Sequence, residues 1–203
     1  MADTAPPRRA KRVLLVALLL AASAVTLLAL VWAVRMDRYR VPSESMAPTV
    51  EVGDHVSINR FAYRSDDPAV GDIVILHPPV GAETNECAVP PSKGQMCAQP
   101  TPGDSDVKFI KRVVAGPGDR VAMRAGRVIL NGKPQRERNT EYCDASVCDF
   151  PTEITVPAGH YFMLGDNVGA SDDSRFWGPV RGPAILGRVD DCVLPGLGCK
   201  PRR

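Results

Sequence analysis

The 203-residue chain has few of the residues that build metal sites and histidine-dependent active sites. Its three histidines are scattered, no C-x-x-C pair occurs, and the regular acidic spacing of an EF-hand is missing. Because zinc sites and calcium loops depend on such spacings, we expect no metal and no other cofactor. A G-x-S-x-G elbow is also absent, which leaves a Ser-His-Asp triad poorly supported.

Clustered basic charge is missing as well. The 25 basic and 23 acidic residues give a formal net charge of +2, and the basic residues are dispersed along the chain. Nucleic-acid-binding proteins carry a basic patch or stripe, so we expect no nucleic-acid partner. No internal repeat is visible, and no long amphipathic helical pattern occurs after residue 34.

One long apolar run is present, Val13–Val34, with 22 residues and no charge. As a helix it would be about 33 Å long, enough for a hydrocarbon core of about 30 Å. A cleavable signal peptide is the alternative, since Ala22–Ala24 resembles a cleavage site, but its apolar region is usually about 7–15 residues long. We predict a single-pass protein with an N-terminal segment at 1–12, a transmembrane helix at 13–34 and a body at 35–203.

The charges and cysteines on either side of this run predict its orientation. Four basic residues precede the run, and three basic residues with one acid follow it, which favours a cytoplasmic N-terminus in the plasma membrane. All six cysteines follow the run, which suits disulfides in an oxidising, extracytoplasmic compartment. Their connectivity stays open, and reduced buried thiols are the alternative. The six are Cys87, Cys97, Cys143, Cys148, Cys192 and Cys199.

The body consists of short apolar or alternating segments separated by glycine and proline. Gly-Asp and Asn-Gly dipeptides flank several of them and are turn signals, so we predict a mostly β fold. The segments are His55–Ile58, Asp72–Leu76, Phe109–Ala115, Arg120–Met123, Arg127–Leu130, Glu153–Val156, Tyr161–Leu164 and Ile185–Val189.

Two stretches interrupt this pattern. Residues 77–107 contain six prolines and two cysteines with little apolar periodicity, and they predict a long surface loop that Cys87 and Cys97 could close. Residues 134–151 form a second, smaller excursion, which carries Cys143 and Cys148.

Two hydroxyls lie just beyond the apolar run, in the octapeptide Pro42–Thr49. If this segment is extended, Ser43 and Ser45 point to the same side and Glu44 points away. Two hydroxyls that face one site can serve as nucleophile and oxyanion donor. The alternative is a membrane-proximal turn in which both serines bond to backbone groups.

A serine nucleophile needs a base, and lysine is the better candidate, with six lysines in the chain against 19 arginines. In a strand over residues 107–114, Lys111 shares a face with Phe109 and Val113, whereas Lys108 lies on a less apolar face. An apolar environment disfavours the ammonium. A base that works near neutral pH needs a pKa about three units below 10.4, which burial can supply. The alternative is a half-exposed lysine that reaches water.

A third run, Gly165–Gly178, is dense in Gly, Asp, Asn and Ser, which predicts a tight loop. Asp173 and Arg175 can form an ion pair that fixes this loop, and Ser171 can hydrogen-bond a neutral amine. A cation-binding loop is the alternative that its composition leaves open.

Four of these segments, in this order after one membrane span, resemble the motif boxes of bacterial type I signal peptidases. The resemblance extends over nearly the whole chain and implies a body of coiled antiparallel sheets. It also implies a membrane-anchored Ser/Lys endopeptidase, which cleaves signal peptides from secreted preproteins at the outer face of the cytoplasmic membrane. The matching segments are Pro42–Thr49, Gly71–Val74, Phe109–Asp119 and Gly165–Gly178.

The resemblance also implies roles for single residues. Ser45 would be the nucleophile and Lys111 the general base. The backbone N–H of Ser45 and the hydroxyl of Ser43 would form the oxyanion hole. Met46 and Ile110 would line shallow pockets for small substrate residues.

The loop residues have implied roles too. By the same resemblance, Ser171 would orient the lysine amine, and Asp173 with Arg175 would hold the loop. The chain departs from the family pattern at Glu44, Phe109 and residues 168–170, which leaves loop geometry and substrate preference open. The cysteine pairs are not part of that pattern.

Two other interpretations remain. A Ser/Lys protease of the autocleaving-repressor type shares the dyad, although the anchor and the missing DNA-binding module argue against it. Outside enzymes, the alternatives are an anchored β module that binds a partner and an inactive paralogue.

Overall fold

The structure of the chain, a computed structural model, describes residues 8–135 and 143–192. Two compact units are present, Met1–Met36 and Asp37–Arg203. The first contains helix α1 (Arg8–Arg35). Among the described residues, no helix has both the length and the apolar character needed to cross a bilayer. The membrane span at 13–34 therefore stays a prediction.

The described part of the chain contains eleven short strands in two sheets. They are β1 (Met36–Arg40), β2 (His55–Asn59), β3 (Ile73–Leu76), β4 (Phe109–Ala115), β5 (Arg120–Arg124), β6 (Arg127–Leu130), β7 (Lys133–Pro134), β8 (Phe150–Thr155), β9 (His160–Leu164), β10 (Val180–Arg181) and β11 (Ile185–Cys192). The larger sheet has the order β1-β2-β11-β3-β4-β9-β10, and the smaller has the order β7-β6-β5-β8. Pairing is antiparallel from β2 through β10 and throughout the smaller sheet.

This architecture confirms the mostly β body that the sequence predicted. Each of the eight predicted segments overlaps one strand. The strands β1, β7 and β10 were not predicted, because five mostly polar residues or a two-residue pair carry no apolar alternation. Two four-residue helices, α2 (Ala145–Cys148) and α3 (Ser174–Trp177), are each capped by an aspartate side chain, as short polar loops favour.

Strand β4 runs through the middle of the larger sheet and is buried on both faces. On one face Val113 packs in a cluster with Met163 and Trp177, and on the other Ile110 packs in a cluster with Met46. Burial of each such side chain contributes roughly 1.5–3 kcal/mol. The packing therefore holds the polar residues of β4 firmly in place.

The structure pairs four of the six cysteines, Cys87 with Cys97 and Cys143 with Cys148. Each disulfide closes one of the two stretches that interrupt the strand pattern. Residues 136–142 and Cys199 lie outside the described residues, as does the side chain of Cys192.

Candidate active site

The octapeptide forms consecutive turns, so the extended conformation considered for it does not occur. The amide of Ala47 donates to the carbonyl of Glu44 at 2.9 Å, and that of Val50 donates to the carbonyl of Met46 at 3.0 Å. Met46 and Val50 are fully buried, which turns the segment inward and buries Ser45. The turn still brings the hydroxyls of Ser43 and Ser45 to 3.3 Å from each other.

Lys111 lies within β4, opposite Val74 of β3, with only 4% of its surface exposed. Its Nζ donates to the Oγ of Ser45 at 2.9 Å, across a separation of 66 residues. The amine also lies 5.3 Å from the centre of the Phe109 ring. Lys108, just before the strand, is exposed. Of these two lysines, the structure thus brings the one on the apolar face to the buried serine.

Burial lowers the pKa of Lys111 from 10.5 to about 8. Asp173 and Asp172 oppose this change because their negative charges favour the ammonium, and the positive charge of Arg175 supports it. Loss of hydration is the largest cause. About a tenth of the lysine is therefore neutral at pH 7 and about half at pH 8, where it can accept a proton.

An ion pair fixes the loop beside the lysine. Both side chains are completely buried, and Arg175 Nε lies 2.7 Å from Asp173 Oδ1. The Nη2 of Arg175 also donates to the carbonyls of Val168 and Ser171, each at 2.8 Å. A buried ion pair is costly to break on one side, because the partner is left as an uncompensated charge. The arginine thus bonds the loop to itself at three points.

Ser171 is buried, and its Oγ has no hydrogen-bond partner in the described part of the chain. It therefore forms no bond to Lys111 in this structure, and its predicted role in orienting the amine stays a prediction. It nevertheless lies close to Ser45. A Cβ at Gly165 would come within 2.3 Å of both Ser171 Oγ and the carbonyl oxygen of Ser45. Only a glycine at position 165 leaves room for the close approach of Ser45 and Ser171 to this residue.

Asn167 is a site residue that sequence reasoning missed. Its backbone N–H donates to the carbonyl of Ser45 at 3.1 Å, and its Nδ2 donates to the carbonyl of Glu44 at 3.3 Å. The peptide group between Glu44 and Ser45 is planar and trans, so its C=O and N–H point in opposite directions. A bond that holds the Glu44 carbonyl therefore also sets the direction of the Ser45 N–H. One asparagine in a polar loop gives no sequence signal for such a role.

Asp166, which precedes Asn167, is also held firmly. Arg112 of β4 donates to both carboxylate oxygens of Asp166, from Nε at 2.8 Å and from Nη2 at 2.5 Å. Its Nη1 donates to the carbonyl of Gly71 at 2.7 Å. This bidentate pair ties the start of the loop to the strand that carries Lys111.

The two predicted pocket residues are both buried. Met46 has no exposed surface and Ile110 has 7%, and they share one apolar cluster. Their role towards a substrate stays a prediction. Within residues 8–135 and 143–192, no group of three or more metal-ligating side chains is assembled.

Comparison with known proteins gives one consistent result. The family model described as "Signal peptidase, peptidase S26" matches residues 12–194. A signal peptidase I from Leptolyngbya laminosa is 35% identical over 150 residues, which cover 73% of this chain and 64% of that protein. A signal peptidase I from Pseudomonas aeruginosa is 32% identical over 188 residues, which cover 79% of this chain and 62% of that protein. This chain thus spans less than two thirds of the length of either relative.

One solved structure is also similar. It is that of a signal peptidase I from Enterococcus faecalis V583, which is 24% identical and covers 61% of this chain and 97% of its own, with a TM-score of 0.40.

Proposed function

Because this chain belongs to the signal peptidase family, peptidase S26, we propose that it is a serine endopeptidase that removes N-terminal signal peptides from secreted preproteins. The observation that carries the proposal is the buried 2.9 Å hydrogen bond between Lys111 Nζ and Ser45 Oγ. A serine hydroxyl is a weak nucleophile until a neighbouring base takes its proton. A lysine whose pKa is lowered to about 8 by burial is suited to that role.

The reaction begins when the neutral amine of Lys111 takes the proton of the Ser45 hydroxyl. The oxygen attacks the scissile carbonyl, and the negative charge of the tetrahedral intermediate forms on the carbonyl oxygen. The backbone N–H of Ser45 and the hydroxyl of Ser43 donate to this oxyanion. The lysine ammonium then gives its proton to the leaving amine, and water hydrolyses the acyl-enzyme through the same base.

Three features around the dyad support this reaction. Asn167 directs the Ser45 N–H towards the oxyanion by holding the Glu44 carbonyl. The bonded pair of Asp173 and Arg175 keeps the loop against the lysine. By the family resemblance, the hydroxyl of Ser171 orients the lysine amine; it is buried and has no hydrogen-bond partner among the described residues.

The substrate binds as an extended chain against a strand edge, so that main-chain hydrogen bonds supply affinity. Small side chains at positions −1 and −3, both before the cleavage point, enter shallow pockets lined by Met46 and Ile110. This part of the proposal rests on the family resemblance and on the position of both residues in the cluster next to Ser45.

We place the enzyme in the plasma membrane, with a span at 13–34 and the body on the outer side. The uncharged run and the excess of basic residues before it support this placement. The cleavage point of a signal peptide emerges at the bilayer surface, and an anchor would keep Ser45 near that surface. Protease added outside intact cells should therefore digest the body, and protection of the body would contradict the orientation.

Three substitutions test the dyad. Purified full-length protein with Ser45→Ala or Lys111→Ala should lose cleavage of a model preprotein, because each lacks one partner of the proton transfer. Lys108→Ala is the matched control, since this lysine lies three residues away but is exposed, and it should cleave normally. Undiminished cleavage by either of the first two variants would refute the mechanism.

A further inference from the structure

A disulfide-closed segment packs against the loop that flanks the lysine. We call residues 85–101 the strap; the disulfide between Cys87 and Cys97, ten residues apart in sequence, closes its middle part. Its amide at Cys97 donates to the carbonyl of Arg175 at 2.8 Å. At its C-terminal end, the hydroxyl of Thr101 donates to the carbonyl of Trp177 at 3.1 Å. The strap therefore bonds to the backbone of α3, the helix that contains Arg175 of the buried ion pair.

At its N-terminal end the strap holds an acidic side chain. Asn85 Nδ2 donates to Asp172 Oδ1 at 2.6 Å across 87 residues of sequence. Asp172 lies between Ser171 and Asp173, in the middle of the loop beside Lys111. Its carboxylate is one of the two that stabilise the ammonium. The strap thus fixes a charge that acts on the lysine.

Close packing at Gly178 shows how tightly the strap fits. This glycine has φ +89°, and a Cβ there would lie 2.4 Å from the carbonyl oxygen of Gln99 and 3.2 Å from Cys97 Sγ. The end of the loop and the strap are therefore in direct backbone contact, and neither can move without the other.

The segment closed by the second disulfide also bonds to Arg175. Cys143 and Cys148 enclose Val147, whose carbonyl accepts a hydrogen bond from Arg175 Nη1. Arg175 is thus bonded through its backbone to one disulfide-closed segment and through its guanidinium to the other. A disulfide restricts the conformations of the segment that it closes, so both partners of Arg175 are held in place.

We propose that the strap is a positioning element of the active site, which holds the Gly165–Gly178 loop and the carboxylate of Asp172 in register with Lys111. This inference rests on the proposed Ser45–Lys111 dyad. In the described part of the chain, the charged groups that act on the lysine are Asp172, Asp173 and Arg175, and the strap bonds directly to two of these three. The proline-rich insertion thereby has a role that the family motifs leave open.

The first experiment compares Asn85→Ala with Asn131→Ala in the full-length protein. The two asparagines are matched, because both have positive φ, 56° and 52°, and each donates its Nδ2 to an aspartate. The partner of Asn131 is Asp119 at 2.8 Å, in a turn between strands, whereas the partner of Asn85 is Asp172 beside the lysine.

Asn85→Ala should release Asp172 and so weaken its support of the ammonium. The rising limb of the pH–rate profile should shift to lower pH by about half a unit, with kcat lower by a few-fold. Asn131→Ala should leave both the profile and kcat unchanged.

A pair of glycine variants tests the packing in the same way. Gly178→Ala forces a methyl group into Gln99 and Cys97, whereas Gly118→Ala has a similar φ of +80° and nothing within 4 Å. Gly178→Ala should lower kcat about tenfold with little change in KM, because the loop is displaced while the proposed substrate pockets at Met46 and Ile110 are untouched. Gly118→Ala should lose only the stability that a positive φ costs an alanine.

Hydrogen exchange separates a failure of this inference from a failure of the proposed function. In Asn85→Ala and Gly178→Ala, amides of the loop should exchange at least several-fold faster, while those of β5 and β6 keep their protection. This readout needs no activity, so a wild type that cleaves nothing would overturn the proposed function and leave the inference to the exchange data. Unchanged loop exchange would overturn the inference, as would an active Asn85→Ala variant with an unshifted pH profile.

Discussion

Replacing Lys111 with methionine should inactivate the protein and at the same time stabilise it at neutral pH. The side chain has a similar length, so the apolar packing around it is kept, but the buried charge is removed. Burial lowers the pKa of Lys111 from 10.5 to about 8, and this difference of about 2.5 corresponds to about 3 kcal/mol. Loss of the hydrogen bond to Ser45 offsets about 1 kcal/mol. The expected net gain at pH 7 is about 2 kcal/mol.

The sign of the pH dependence follows from proton binding. Between pH 8 and 10.5 the unfolded chain holds a proton on Lys111 and the folded chain does not, so wild-type stability rises with pH in this window. Below pH 8 the cost of burying the ammonium is present in full. The advantage of Lys111→Met should therefore be largest below pH 8 and should disappear as the pH approaches 10.5.

Urea unfolding of the full-length protein at pH 7 and pH 10 measures both effects, and fluorescence of the buried Trp177 reports the transition. Lys108→Met is the control, because it removes a lysine that is already exposed. A Lys111→Met protein that is less stable than the wild type at pH 7, or whose advantage does not change with pH, would refute the reasoning.

The remaining predictions concern catalysis. Gly165→Ala should lower kcat at least a hundredfold in a preprotein cleavage assay, because its Cβ would lie 2.3 Å from the Ser45 carbonyl oxygen; normal turnover would contradict this packing. Asn167→Ala should lower kcat about tenfold with little change in KM, and should weaken binding of a peptide aldehyde more than that of the matching peptide amide, since only the aldehyde forms an oxyanion. In the wild type, kcat/KM should rise about tenfold from pH 6 to pH 7 and level off above about pH 8; a flat profile would exclude Lys111 as the base.

The strands and the pairing of Ser45 with Lys111 could be predicted from the sequence for separate physical reasons. Short alternating segments between turn residues are local signals, so all eight predicted segments became strands. The position of Lys111 on an apolar face followed from the period of two in a strand. No local pattern links Ser45 to Lys111, which are far apart in sequence. Their pairing was predicted from the order of the family motifs.

Other features depended on contacts that no local pattern encodes. The turn at Pro42–Thr49 is set by the burial of Met46 and Val50, whereas strand alternation predicts an extended segment there. Asn167 acts through the distant carbonyl of Glu44, and Gly165 matters because two other segments approach it. Disulfide pairing and strand order also depend on the complete tertiary structure.

The separation of 66 residues in sequence between Ser45 and Lys111 has a consequence for folding. The serine comes from a turn after β1, and the lysine comes from β4, whose neighbours β3 and β9 must be in place before the amine is buried. Contacts over such separations close late, because the chain loses entropy before it gains packing. A partly folded chain holds a solvated, protonated lysine far from a solvated serine. Under the proposed mechanism, the chain thus cannot attack a peptide, its own included, until its sheet is complete.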